Sequence, residues 1–597
     1  MILSMLNDCY HRLASENRVP PPGFSSEKIS FCLVFSKQGN PLQIIDLRDV
    51  SGKKSRPIAL HVPVDKRRTS GIHAYPLWDK TAYALGVTAG DGKRLADEHA
   101  AFKNRQSGLW KSSDDFELGA FLNFLTHWSP NDLEALPGYT DEMLDANVVF
   151  RLDGEHSYLH ENKTAHELWL EELGSDEGLL GECLVTGEVM PLGVGHPAIR
   201  GVRGAQSAGA SLVSFNSDAY ESYGHKGQAN ASISKDAIFG YSTALNYLLR
   251  GDAENHQRLQ IGDTTTVFWA ESQDSECAEA AEGFFAMLNE PPTDAQESAK
   301  LASLLSDVAK GRPLAKLNPL LEAETKFFVL GLAPNAARLS VRFWYTDSLE
   351  RLAQHYTWHH QDLNLEPTPW KGVAPAMWRL LYATAPSRNG KAKAEDVAPQ
   401  LAGELARAIF TGSRYPYSLL SNIIMRMRND GDISGIRIAL CKAVLARKGR
   451  LSAYSNATTQ EVPVSLDRHS THPGYLLGRL FAELENAQRG ALGGQVNATI
   501  RDCYYGAASA TPANIFPMLL RNVQNHLSNM RKKDNGGLAH TIESEIAAII
   551  DGLGEKFPRS LHIEDQGRFA IGYYHQSQAK FVKKEKVTAA EATEGDK

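Results

Sequence analysis

The chain has little cysteine. Six residues in 597, at positions 9, 32, 183, 277, 441 and 503, show no CxxC pair and no spacing that suits zinc. Such usage predicts buried, reduced thiols in a cytoplasmic protein. Signatures of phosphate-loop, metalloprotease and serine-hydrolase chemistry (GxxxxGK[S/T], HExxH, GxSxG) are also missing. The nearest dinucleotide fingerprint, Gly193-Val-Gly195-His-Pro-Ala198, places Pro197 where a helix should open, which argues against a bound cofactor. The opening MILSMLNDCYHRL reads as an amphipathic helix with charges inside it, neither a signal peptide nor a membrane span. There is no basic excess either: the net charge is −7, which argues against indiscriminate coating of DNA.

What is there is unevenly divided. Residues 1–369 hold 33 Lys+Arg against 49 Asp+Glu, whereas residues 370–597 hold 30 against 21. Attraction to phosphate is a property of local patches, so the basic last third stays open to nucleic acid. Hydrophobic periodicity changes at the same place. Up to residue 360 short apolar runs such as Ile29–Phe35, Leu42–Asp46, Ala59–Val64, Val148–Leu152, Thr265–Glu271, Phe327–Gly331 and Leu339–Thr346 predict strands between helices, the last two suited to central strands of an α/β sheet. Glu276–Ala299 predicts an acidic, solvated helical segment. Beyond His359–Trp370 the pattern is helical, over Met377–Thr384, Val397–Phe410, Tyr417–Arg428, Ile433–Arg447, His472–Arg489, Arg501–Ser509, Ala513–Arg531 and His540–Asp551. The fold class expected is α+β, a mixed α/β amino-terminal portion followed by an α-helical bundle. Its expected divisions are 1–180, 181–360 and 371–582, with a disordered tail at 583–597.

One segment stands out for small and amide side chains. Gly204–Asn216, GAQSAGASLVSFN, offers neutral donors and acceptors at Gln206, Ser207, Ser211, Ser214 and Asn216, behind Arg200 and Arg203. It reads either as a surface made for phosphates and base edges or as a Ser/Gly loop entering a buried strand, LVSF. With CLVTGE at Cys183–Glu188, HPAIRGVRGAQSAGASLVSFN at His196–Asn216, ESYG at Glu221–Gly224 and AIFGYSTALNYLL at Ala237–Leu249, the chain resembles the large subunit of the type I-C Cascade complex of CRISPR immunity. FVLGLAPNAARLSVRFW (Phe328–Trp344), HPGYLLGRLFAELE (His472–Glu485), FPMLLRNVQNHL (Phe516–Leu527) and GRFAIGYYHQ (Gly567–Gln576) follow in that family's order. The resemblance implies a non-enzymatic, cofactor-free subunit that recognises the protospacer-adjacent motif (PAM) in duplex DNA and helps hold the opened strands. Its implied partners are guide crRNA, target double-stranded DNA, the handle-binding and backbone subunits, a helicase-nuclease and a small subunit, with no membrane. The bundle is expected to resemble that small subunit, which the family makes from an internal start; a fragment beginning between Leu451 and Gly494 is expected to fold.

Candidate contacts fall into three groups. Lys53, Lys54, Lys66, Arg67 and Arg68 form two basic clusters in an otherwise acidic region, and the second leads into a loop carrying His73 and Tyr75. The resemblance leads one to expect a lysine and an asparagine there, so base preference does not transfer. With Gln206, Ser207, Ser211 and Asn216 these residues make up the candidate DNA and PAM contacts. Arg200, Arg203, Arg338 and Arg342 are candidates for guide-handle or phosphate contact; the even spacing of Arg338 and Arg342 puts both on one face of a strand, where an acidic partner would serve as well. A displaced-strand track is expected from Arg426, Arg428, Arg521, Arg531, Lys532 and Lys533, with Tyr504 and Tyr505 as stacking groups beside Arg437, Lys442, Arg447, Lys448 and Arg450. No catalytic or metal-binding residue is expected. Rival readings are a metal-dependent nuclease built on His359, His360 and Asp362, or a scaffold that only bridges proteins.

Overall fold

The run Phe31-Cys-Leu-Val-Phe35 is apolar at every position, the pattern of a strand covered on both faces, and every residue in it is buried. In the computed structural model, which describes residues 1–50, 55–65, 68, 71–174, 179–215, 217–252, 255–272, 274–291, 295–387, 392–453, 461–493, 498–533 and 535–579, it is an inner strand of the first sheet. The expectations for Lys53, Lys54, Lys66, Arg67, Asn216 and the tail 583–597 lie outside the described residues. The chain makes two compact units, Met1–Arg200 with Ala208–Tyr247, and Gly201–Ser207 with Leu248–Lys597.

In the first unit, β1 (Phe24–Ile29) and β4 (Ile58–Pro63) make an antiparallel ribbon, while β2 (Phe31–Phe35), β3 (Pro41–Asp46), β5 (Trp78–Lys80) and β6 (Asn147–Leu152) form a sheet ordered β3-β2-β6-β5. β2 runs antiparallel to β3 and parallel to β6, a crossover that the helices Leu95–Trp110 and Phe116–His127 fill. Alternation sorts the two faces. Phe31, Leu33 and Phe35 pack with Phe102, Trp110, Phe121 and Phe124 of those helices, whereas Cys32 and Val34 pack with Ile29 and Val62 of the ribbon and with Trp78 and Val149. After β7 (Leu180–Glu182) and β8 (Val189–Pro191) the chain is irregular as far as the helix Lys235–Leu248, which lies against the opening helix Ile2–Ser15 through Tyr10 and Phe239.

The second unit carries β9 (Arg258–Ile261), β10 (Thr264–Glu271), β11 (Lys326–Asn335) and β12 (Arg338–Ser348) in an all-antiparallel sheet ordered β12-β11-β10-β9. β11 is an inner strand as expected, but β12 is an edge strand. The acidic segment is solvated on one face only: Glu276, Glu279, Glu290 and Glu297 are exposed, while the helix Ser275–Asn289 turns Ala278, Ala281, Phe284, Phe285 and Leu288 into the core and buries Glu282 as well. Glu282 is tolerated there because it accepts hydrogen bonds from Gln257 Nε2 (2.8 Å) and the Ala270 amide (3.0 Å).

All eight helical runs read from the last third are helices here, closing with Pro473–Leu492, Ile500–Ala510, Pro512–Lys532 and Gly536–Leu553. Leu349–Leu363 and Ile563–Gln578 are helices that join them. One apolar cluster runs from Leu259 of β9 through these helices to Tyr574. Pro473–Leu492 is the central helix, and it packs on Ile563–Gln578 with backbones in close approach: a Cβ at Gly478 would stand 2.0 Å from the Phe569 carbonyl oxygen, and one at Gly572 2.2 Å from that of Tyr475. A separately folding carboxy-terminal fragment must therefore begin ahead of Pro473. Five cysteines are buried as expected, but Cys503 is exposed, and all six are free. No helix among the described residues is long and apolar enough to cross a membrane.

Candidate nucleic-acid interface

Arg68, His73 and Tyr75 are brought together by the loop that enters β5, and they face one another. Arg68 donates from its amide to the Tyr75 hydroxyl (3.0 Å), from Nε to the His73 carbonyl (2.7 Å) and from its guanidinium to Asp79 (2.6 Å). The guanidinium also lies over the rings of Tyr75 and Tyr83, at 4.6 and 3.8 Å. Tyr75 stacks on Trp78 with 4.8 Å between centroids and planes 1° apart. His73 Nε2 is 2.8 Å from Asp65, which also takes Arg105. Burial pushes the Asp79 carboxyl up, and the Arg68 charge and two backbone N–H donors pull against it. Gln106 holds the loop from below, donating to the Tyr75 carbonyl (2.8 Å) and accepting from the Leu77 amide (3.1 Å) and the Trp110 indole (2.9 Å). The loop's shape is therefore set by its own side chains, and its crest at Gly71 and Ile72 is exposed.

The Gly204–Asn216 segment is a loop throughout its described length, and LVSF is half-buried and irregular rather than a strand. A bridge between Ile199 and Ala210 closes it, with amide–carbonyl distances of 2.9 Å in both directions. Gly209 makes that closure possible, since its φ is +102° and a Cβ would stand 2.8 Å from that of Ala198. Gln206 and Ser207 lie toward solvent with Arg200 and Arg203, while Ser211 is half-buried. The Arg200 amide donates to Asn246 (2.8 Å) and its Nε to the Ala208 carbonyl (3.4 Å), while the Arg203 amide donates to Thr265 (3.0 Å), so the backbone is fixed at both of these exposed residues.

Even spacing fails at Arg338 and Arg342. Gly331 pairs with Phe343 and Leu332 with Val341, so Arg342 is the extra residue of a β-bulge that resets the alternation. Arg342 stands 3.5 Å from Asp263, the acidic alternative for its partner.

In the helical region the cations divide by direction. Arg437, Lys442 and Arg447 are buried. Arg437 pairs with Asp430 (2.6 Å), and Lys442 donates to the carbonyls of Gln361 (3.3 Å) and Asp362 (3.0 Å) at the end of the Leu349–Leu363 helix. Arg447, with 0% exposure, reaches Asp362 (2.5 Å), the Ala408 and Ser413 carbonyls and the Tyr415 hydroxyl. Arg450 takes both Asp362 oxygens at 2.8 and 3.0 Å, and Lys448 pairs with Glu564. Of the expected track, Arg426 pairs with Asp430 (3.5 Å) and Arg428 donates to Gln566 (2.6 Å) and Ser509 (3.3 Å). Tyr505 is a core residue packed on Phe481, Phe569 and Tyr573, not a stacking group, and burial raises its hydroxyl well above the usual value.

The helix Pro512–Lys532 behaves differently. It has no acidic residue. Arg521, Gln524, Asn525, Ser528 and Lys532 are exposed on it at positions that return to one face, with Asn514 a further two turns back. Those four amides and hydroxyls were not singled out by charge; the signal was an acid-free helix whose buried positions, Phe516, Leu519, Val523, Leu527 and Met530, leave a polar neutral stripe opposite. Arg531 is paired with Glu543, and Lys533 caps the central helix by donating to the Ala491 carbonyl (3.0 Å). Arg521 and Lys532 are left without an ion pair among the described residues.

His359, His360 and Asp362 lie on the last turns of the Leu349–Leu363 helix, committed to the fold. Asp362 is held by Arg447 and Arg450, and His359 Nδ1 is 2.6 Å from the Tyr415 hydroxyl. Burial lowers His359 well below the usual imidazole value and His360 to about 4. Among the described residues no group of three or more His, Cys, Asp and Glu side chains is placed to hold a metal ion. Compared with known proteins, the chain matches the sequence model of one family, described as CRISPR-associated protein (Cas_Csd1), over residues 6–581. No curated protein matches it.

Proposed function

The chain belongs to the Cas_Csd1 family of CRISPR-associated proteins, of Cascade type, and from that premise we propose that it is the large subunit of a type I-C Cascade complex. In this reading it is not an enzyme. It works in the cytoplasm, where it reads a short motif beside the target in duplex DNA, helps the strands part and holds the displaced one, while pairing with the crRNA supplies sequence specificity. The handle-binding and backbone subunits, the small subunit and the recruited helicase-nuclease are its partners. DNA stacking averages about 1.4 kcal/mol per base-pair step, so even a short opening needs binding surface on the released strand.

The observation that carries the reading is the acid-free stripe on Pro512–Lys532, where Arg521 and Lys532 bracket Gln524, Asn525 and Ser528. Neutral donors and acceptors between two cations suit a sugar-phosphate backbone, and no carboxylate on that helix opposes it. Gln206 and Ser207, with Arg203 of the same unit, supply a second polar surface of the same chemistry. The test is the affinity of the assembled complex for matched target duplexes that differ only in the flanking trinucleotide. Affinity that depends on that trinucleotide is the expected result; equal affinity for all of them would sink the reading.

A further inference from the structure

Tyr223 is 98% exposed, so it buries nothing, yet the chain holds it in a conformation that bulky residues avoid. Its φ is +52°, that of Gly224 is +77°, and the His225 amide donates to the Ser222 carbonyl at 2.9 Å. Two successive positive φ values under such a hydrogen bond are the pattern of a type I′ turn, whose first central position is taken by Asn, Asp or Gly because a larger side chain crowds the backbone. Here that position carries a tyrosine. Asn230 fastens the turn from one side: its Oδ1 accepts from the Ser222 amide (3.0 Å), and its Nδ2 donates to the His225 (3.0 Å) and Gly227 (2.9 Å) carbonyls. A strained residue persists where its surroundings over-determine it, and such strain gathers at functional positions.

We propose that Tyr223 is a base-stacking residue, whose ring covers the exposed face of a DNA base where the two strands part. This rests on the reading of the chain as a subunit that opens duplex DNA. An aromatic ring on a rigid turn offers a flat apolar face at little cost in ordering, and stacking is indifferent to base identity. The turn's charges point the same way. Asp218 and Glu221 stand on the same exposed stretch as Lys226, so the loop is no phosphate clamp and would meet a base rather than the backbone.

The test uses the assembled complex and a target duplex with 2-aminopurine at the first positions beside the flanking motif, with Tyr223→Ala, Tyr223→Phe and Tyr223→Gly. Tyr223→Ala should weaken binding roughly tenfold and leave the 2-aminopurine fluorescence bright and unquenched, whereas Tyr223→Phe should stay within about twofold, because the ring and not the hydroxyl stacks. Tyr223→Gly should bind as poorly as Tyr223→Ala while melting no lower than the parent protein, since glycine takes a positive φ without strain. The salt dependence of binding should be unchanged in all three, as a neutral ring neutralises no phosphate. A Tyr223→Ala complex that binds and quenches like the parent, while the parent distinguishes flanking trinucleotides, overturns the stacking role and leaves the functional reading standing. A parent complex with no trinucleotide preference whose tyrosine still quenches 2-aminopurine leaves the stacking role standing and overturns the reading. A parent complex that does not bind the duplex overturns both.

Discussion

Two helices of the second unit carry comparable cations and put them to opposite use. Gly435–Ala453 holds Arg437, Lys442, Arg447 and Arg450, and each of them reaches an acidic group or helix-end carbonyl inside the fold. Pro512–Lys532 holds Arg521, Arg531 and Lys532 and turns them out. Net charge does not separate the two, since both are basic. Acid placement does: Asp362 and Asp430 lie where Gly435–Ala453 packs, whereas among the described residues the neighbour of Pro512–Lys532 offers one carboxylate, Glu543, to one arginine. A basic helix is a candidate for nucleic acid when its cations outnumber the carboxylates that can reach them.

The contrast breaks first on the inward side. Arg447→Ala leaves Asp362 facing Arg450 alone and removes the donor to the buried Ala408 carbonyl and to that of Ser413, and breaking a buried pair costs about 3–5 kcal/mol. Chemical denaturation should show that loss, with strand binding per folded molecule unaltered. A change below about 1 kcal/mol would mean that the arginine is not buried as described.

Lys442 gives the second test, through pH. Burial lowers its ammonium from 10.5 to about 8. Below pH 8 the group is charged in both folded and unfolded chains, and the native state carries the cost of burying it. Between about 8 and 10.5 the folded chain has shed that proton and the unfolded chain has not, so stability rises with pH across the window. Relative to a Lys442→Met variant the gain is at most about 3 kcal/mol. Parallel pH profiles for the two proteins would show that the ammonium is as easily charged in the fold as in water.

Much of the architecture was legible and most of the site was not, for reasons that differ by residue. Amphipathic helices such as Pro399–Thr411 announce themselves, because one face is wet. Ile563–Gln578 does not: it is buried on every side along most of its length, and two of its polar residues are satisfied internally, Gln576 by Glu483 (2.7 Å) and Arg479 (2.9 Å) and Tyr573 by Glu485 (2.5 Å). Periodicity therefore sees noise where there is core. Ser275–Asn289 misled in the opposite sense, since its acids suggested solvent while its alanines and phenylalanines lay a turn apart on the buried face. LVSF looks like a strand locally, but no neighbouring strand pairs with it among the described residues. At the site, sequence identifies cations and cannot say which way they point. Arg428 and Arg447 are engaged within the fold by partners distant in sequence, Arg68 is taken by Asp79 of its own loop, and Tyr223 is conspicuous only once its φ is known.

On the outward side the comparison sharpens in binding rather than stability. Arg521→Glu with Lys532→Glu should weaken single-stranded DNA binding by the full chain about tenfold or more, and flatten its log–log salt slope by ~0.7 for each phosphate that the cations no longer neutralise. Both residues are exposed and carry no ion pair among the described residues, so the melting temperature should stay where it was. Equal binding by the reversed protein would reduce the stripe to ordinary helix surface.

The smallest effect probes the cation on that helix that does have a carboxylate partner. Arg531 is held by Glu543 across to Gly536–Leu553, with both side chains about half exposed. Exposed pairs of this kind contribute about 0.2–1 kcal/mol, so Glu543→Gln should barely move the melting temperature. It should, however, release Arg531 beside Lys532 and remove a negative charge from the edge of the stripe. Affinity for single-stranded DNA should then rise about two- to fivefold, with a salt slope steeper by up to ~0.7, the share of one further neutralised phosphate. Salt titration separates this from a mere change in background charge, because an unspecific gain would appear equally for Glu555→Gln, an exposed carboxylate past the end of Gly536–Leu553. If the two variants gain alike, Arg531 is not a member of the track, and the track is the narrower line from Arg521 to Lys532.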